Sequence, residues 1–198
     1  MPPNPRRSKL NLRINAEIKP VFSAPGKRLT TGRLQQYCCN MIPSLIALAG
    51  APWKVLPPGI HPATLSEVEA TFAINQPRRD LFAGFKVGAA SLFSAGCLTL
   101  FLDGSYVTAK PIPGDYDACW HPAGVDPAKL DPVFRDFSNL RQAQKAKFGG
   151  EYFPSTMGNT PSQPFLDFFQ NERFTGGRKG IVSIDLNTDP TLTRRTTP

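Results

Sequence analysis

The chain has 198 residues, of which 40% are hydrophobic and 19% charged. That is enough for one domain of about 150 residues plus tails. It excludes a fully disordered chain. It also excludes a membrane span: the longest weakly polar stretch, Met41–Trp53, holds Pro43 and Pro52 and falls short of the roughly 20 apolar residues required. The four cysteines (Cys38, Cys39, Cys97, Cys119) form no CxxC pair, so a reducing, cytoplasmic setting is expected.

The net charge of +8 is unevenly placed. Residues 1–60 carry nine Lys/Arg and one acid, whereas residues 61–198 carry fourteen of each sign. A nucleic-acid binder usually shows its basic face on the folded domain. Here the basicity belongs to residues 1–40, a leader rich in Pro, Arg and Lys that reads as mostly disordered. Arg6-Arg7 lacks the apolar segment of an export signal. A solvated tail is the plainest reading of the leader, and phosphate contact with RNA or DNA is the alternative. A third reading places the natural start at Met41, with the leader upstream of it.

The domain is expected over residues 41–186, followed by a flexible tail over 187–198. Pro57-Pro58-Gly59 reads as a turn. Thr64-Leu-Ser-Glu67 has the spacing of a capping box and predicts a helix over 65–72. Pro77 suits a first helical position, and Leu81, Phe82, Phe85, Ala89, Leu92 and Phe93 recur at helical spacing until Gly96. Residues 97–102 read as a buried strand broken by Gly104-Ser105. Residues 106–114 are a connection, and 115–120 a second strand. Asp131-Pro132 predicts a helix to about Lys147, its buried face marked by Val133, Phe137, Leu140 and Phe148. Residues 151–153 read as a third strand, 155–164 as loop, 165–170 as a short helix and 180–186 as a strand. Interleaved strands and helices predict an α/β (α+β) domain, a small mixed sheet flanked by helices.

The chemistry-bearing segment is Asp103–Trp120, DGSYVTAKPIPGDYDACW. A strand running into Gly104-Ser105 lets backbone approach a ligand closely, and N–H groups with a hydroxyl can cradle phosphate oxygens. Asp115 and Asp117, two apart on a predicted strand, point to one face. Hard divalent cations take such oxygen ligands. Glu151, on the next strand, is a candidate third carboxylate. Three acids can hold two metals about 4 Å apart for in-line phosphoryl displacement.

This compound pattern, a strand ending in Gly-Ser, nine residues, then Asp-x-Asp and a later strand acid, resembles the polymerase-β-like nucleotidyltransferase superfamily. The likeness extends to an uncharacterised bacterial branch through LPPGIHPAT (56–64), DGSYVTAKPIPGDYDACW (103–120), FGGEYFP (148–154), PFLDFFQ (164–170) and KGIVSIDL (179–186). It covers roughly residues 41–186, and members of that branch begin near Met41. The resemblance implies a nucleotidyltransferase-like fold and the transfer of a nucleoside monophosphate from an NTP to a hydroxyl on RNA, protein or a small molecule. It also implies Mg²⁺, two ions, on Asp115, Asp117 and Glu151, with Gly104 and Ser105 at the nucleotide phosphates.

Lys110 is a further candidate for phosphate, against the commoner outcome of a solvated lysine. Arg141 and Lys145, four apart, could steer a triphosphate or simply face water. Asp167 and Asp185 are rival acids. Cys119-x-His121 has no second ligand pair at zinc spacing, so Cys119 reads as a small core residue. Phe82, Phe85, Phe134, Phe137, Phe168 and Phe169 are core candidates. The competing function class is a regulatory member of a toxin–antitoxin or defence pair that keeps this fold with or without activity.

Overall fold

The computed structural model describes residues 42–160 and 163–193. The basic leader, Cys38, Cys39 and the Met41 start lie outside the described residues.

The architecture is α+β. Five strands form one mixed sheet: β1 (Gly59–Pro62), β2 (Thr99–Asp103), β3 (Asp117–Trp120), β4 (Glu151–Pro154) and β7 (Gly180–Asp185), in the order β1-β7-β2-β3-β4. The two outer pairs, β1·β7 and β3·β4, are parallel, and the inner pairs β7·β2 and β2·β3 are antiparallel. Strands β5 (Gly158–Thr160) and β6 (Gln163–Pro164) form a separate ribbon.

Helices cover one face of the sheet. Helix α1 (Leu65–Phe72) starts at the predicted capping box: the Thr64 hydroxyl accepts from the Glu67 N–H while Glu67 Oε2 accepts from the Thr64 N–H. Helix α2 (Gln76–Ser94) is capped by Asn75, with Pro77 in its first turn. It buries Arg78, Phe82, Phe85, Gly88, Ala89 and Leu92 along one stripe, the spacing of a core-facing helix. Against this stripe lie Leu100, Leu102, Ala118, Trp120, Tyr152, Val182 and Ile184 from the sheet. Close approach needs Gly88, because a Cβ there would overlap the Tyr152 hydroxyl. Tyr116 joins the same layer, donating to the Phe148 carbonyl and meeting the Tyr152 hydroxyl at 3.0 Å.

Several expectations need correction. The turn expected at Pro57-Pro58-Gly59 runs into an edge strand, β1, that the sequence pattern leaves unassigned; its Gly59 and Pro62 hide the strand signal. The helix expected over 132–147 is broken into a 3-10 turn (Pro132–Arg135), a second one (Asn139–Arg141) and α3 (Gln142–Phe148). Phe137 and Leu140, assigned to its buried face, are 40% and 80% exposed, and Phe168 is 44% exposed. The loop expected over 155–164 contains the β5–β6 ribbon. Residues 187–193, expected as flexible tail, are instead tied to the domain: Asp189 is buried, accepts the Leu65 N–H at 2.7 Å and opens helix α5 (Pro190–Thr193). No helix among the described residues is long and apolar enough to cross a membrane.

Candidate functional site

Pairing register, more than any single motif, assembles the site. Asp103 ends β2, Asp117 opens β3 and Glu151 opens β4. Asp103 is opposite Asp117, and Asp117 is opposite Glu151. Directly paired residues project to the same side of a sheet, so the three carboxylates form one row on the face away from α1 and α2. The next row along is Phe101, Cys119 and Phe153. It is covered by Phe165, Leu166 and Phe169, from and just beyond helix α4 (Phe165–Phe168).

Asp115 precedes β3 rather than lying on it, since the strand starts at Asp117. The sheet bonding continues back by one residue, as the Glu151 N–H donates to the Tyr116 carbonyl. That brings Asp115 into the row's charge field: Asp103, Asp115 and Glu151 all act on Asp117.

Three cations answer the four acids. Lys179 pairs with Asp103 in a nearly buried contact. Lys145 Nζ bridges Asp115 Oδ2 at 3.1 Å and Glu151 Oε1 at 2.6 Å. Arg141 Nε donates to Glu151 Oε2 at 2.5 Å while its guanidinium lies 4.5 Å from the Phe153 ring centre. Asp117 alone has no hydrogen-bond or ion-pair partner among the described residues. Burial and the three neighbouring carboxylates push its carboxyl up to about 7, against the pull of Lys179. Burial also raises Asp103 despite Lys179 beside it. Contact with Glu151 and then Asp115 raises Lys145.

Gly104 makes room for Asp117. It has φ +79°, and a Cβ there would sit 2.5 Å from Asp117 Oδ2. Gly104 opens a 3-10 turn, Gly104–Val107, that carries Ser105. The segment after this turn is clamped by buried Arg78, whose guanidinium donates to the carbonyls of Phe72, Tyr106, Thr108 and Lys110 at 2.7–3.0 Å. Desolvation lowers Arg78 from its ordinary value.

Residues 51–185 match a family of unknown function, DUF6932. The chain belongs to this family. No curated protein and no solved structure matches it. Within this DUF6932 domain the structure brings together Asp115, Asp117, Glu151 and Gly104 of the sequence-derived candidates, with Ser105 next in the chain.

Lys110 is not joined to the acids by any described bond. It lines a separate cavity of about 220 Å³ with Leu45, Thr71, Phe72 and Ile74. Asp185 is opposite Thr99, at the other end of β2 from Asp103, and Asp167 is exposed on α4. Cys119 is buried, as expected of a core residue. Another cavity, about 330 Å³, opens at the far ends of β3 and β4, lined by Trp120, Leu130, Phe134, Phe137 and Met157. It holds none of the acids.

Four residues were missed or undervalued. Asp103 alternates with Phe101 on an apolar strand, which puts it on a defined face. Arg78 falls on the buried stripe of α2, four residues before Phe82. Lys145 and Arg141 reach the acids while remaining part-exposed.

Among the described residues, no three His, Cys, Asp or Glu side chains are arranged as a ready metal cage, and Lys145 and Arg141 pair with oxygens of Asp115 and Glu151. The donor chemistry nevertheless fits a hard divalent cation. The row is all carboxylate oxygen, and among the described residues no cation pairs directly with Asp117.

Proposed function

We propose that the acidic row is the active site of a Mg²⁺-dependent nucleotidyltransferase that moves a nucleoside monophosphate from an NTP to a hydroxyl acceptor. The observation that carries the reading is the register Asp103–Asp117–Glu151 beside the Gly104-Ser105 turn. It gathers carboxylates from three strands on the sheet face that the long helices leave free. The motif's likeness to polymerase-β-like nucleotidyltransferases supports the same reading.

Asp115, Asp117 and Glu151 would hold the metal, two ions by the resemblance. Bound there, Mg²⁺ supplies charge neutralisation for the triphosphate and the departing pyrophosphate. The chain's own residues do the rest. Gly104 keeps backbone close to Asp117, and Ser105 offers its hydroxyl and N–H to phosphate oxygens. Glu151 accepts the proton of the acceptor hydroxyl as that oxygen bonds to the α-phosphorus and the bond to pyrophosphate breaks. Arg78 acts as a positioning residue by fixing the segment behind the turn. Catalysis here is positioning and electrostatics rather than covalent chemistry.

A second reading is a regulatory member of a toxin–antitoxin or defence pair. Its support is that Lys179, Lys145 and Arg141 already neutralise three of the four acids. One assay separates the two. Protein, Mg²⁺ and cell lysate are incubated with NTPs labelled at the α-phosphate. The first reading expects a labelled acceptor that disappears in the Asp115→Asn, Asp117→Asn double variant. Undiminished label in that variant contradicts it, and absence of label with co-purification of a small partner favours the second.

A further inference from the structure

The geometry points to Lys145 as the internal counter-ion of the acidic row, standing between Asp115 and Glu151, two of the residues that would hold a divalent cation, so that loading the site requires its side chain to leave. The inference rests on the metal reading given under Proposed function and adds how that site is controlled.

The contacts are direct. Lys145 Nζ touches one oxygen of Asp115 and one of Glu151. These residues come from different elements and share no other bond among the described residues. A monovalent ammonium in such a bridge competes with any cation for the same oxygens. Lys145 can also withdraw. Its side chain is 39% exposed, whereas Lys179 on Asp103 is 10% exposed and is fixed by its surroundings.

The backbone beside Lys145 carries the second observation. Asn139, Leu140 and Arg141 take φ of 45°, 54° and 57° in succession. Non-glycine residues persist in this left-handed region only where their surroundings hold them there. Leu140 is 80% exposed, so no packing on its side chain does so. Arg141 is the anchored member, through Glu151 and the face of Phe153. Glu151 therefore binds both the bridging lysine and the strained turn. A divalent cation that claims Glu151 releases both together, which makes the turn Asn139–Arg141 a cation-sensitive latch, while Gln144 and Phe148 stay buried and hold the rest of α3 in place.

Mn²⁺ binding to the full chain tests this without any turnover. Free Mn²⁺ is followed by electron paramagnetic resonance in wild type, Lys145→Met, Lys145→Arg and Asp117→Asn. Removing the competing charge is expected to tighten Mn²⁺ binding about tenfold in Lys145→Met. Lys145→Arg, which keeps the charge, stays near wild type, and Asp117→Asn abolishes binding. In wild type, saturating Mn²⁺ is expected to speed amide exchange over residues 139–141 and to leave 144–148 unchanged. Equal or weaker binding by Lys145→Met, with binding still dependent on Asp117, overturns the role of Lys145 and leaves the metal reading standing. No uptake by wild type or Lys145→Met, or uptake indifferent to Asp117→Asn, overturns both.

Discussion

Ala118 and Asp117 are chain neighbours that face opposite environments. Leu102, Ala118 and Tyr152 are paired across β2, β3 and β4, and all are inaccessible to solvent beneath the helices. One residue back along β3 and β4, and one forward along antiparallel β2, the same register gives Asp103, Asp117 and Glu151. The helix-covered face closes on itself with aromatic edges, such as Phe85 at 5.2 Å and 82° to Tyr116, and its apolar burial favours folding. The opposite face concentrates like charges that folding alone does not require. Proteins tolerate such concentrations mainly where chemistry uses them.

The contrast can be broken most forcefully on the covered face. Phe85 is fully buried, and Phe85→Ala should cost about 3–5 kcal/mol of stability, read from the urea midpoint. Its effect on Mn²⁺ affinity in the surviving folded fraction should be small. Gly104→Ala should act on both properties. The left-handed backbone costs a side chain about 1–2 kcal/mol, and the new Cβ displaces the Asp117 carboxylate, so label transfer should vanish while the fold survives. Retained transfer would remove the turn from the site.

Asp117 sharpens the comparison through pH. Its carboxyl titrates near 7 in the folded protein and near 3.9 in the unfolded chain. Between those values the folded state binds the extra proton, so ionisation costs stability progressively as pH rises from about 4 to about 7. Below that window the group contributes nothing, and above it the full cost is present. Urea denaturation at pH 5 and pH 8 should show wild type losing more stability on raising the pH than Asp117→Asn does. Matching losses would mean that Asp117 is not held in the field described. The smallest effect is expected far from both faces. Lys86 and Glu69 form an exposed pair at 3.3 Å, and Lys86→Ala should change stability by no more than about 0.5 kcal/mol.

Much of the covered face was legible in the sequence because local rules decide it. Thr64 and Glu67 cap α1 through their own side chains, and the apolar stripe of α2 repeats at helical spacing. The broken 132–148 segment was not legible. Its apolar spacing fits a helix, yet Arg141 is drawn to Glu151 and Phe153, a tertiary attraction that outweighs the local preference. The acid face was half legible. Asp115, Asp117 and Glu151 stand out as residue types, whereas Asp103 enters only through strand pairing, which residue spacing does not encode. The cations were hardest, because a lysine four residues from an arginine on a helix looks the same whether it meets water or a carboxylate.

The central claim concerns where a divalent cation goes. The most direct measurement is the anomalous diffraction map of a Mn²⁺-soaked crystal. The account predicts a peak within coordination distance of Asp115, Asp117 and Glu151, with the Lys145 ammonium moved off both of its present partners. A map with no peak there, or with Lys145 still bridging Asp115 and Glu151 at saturating Mn²⁺, would contradict it.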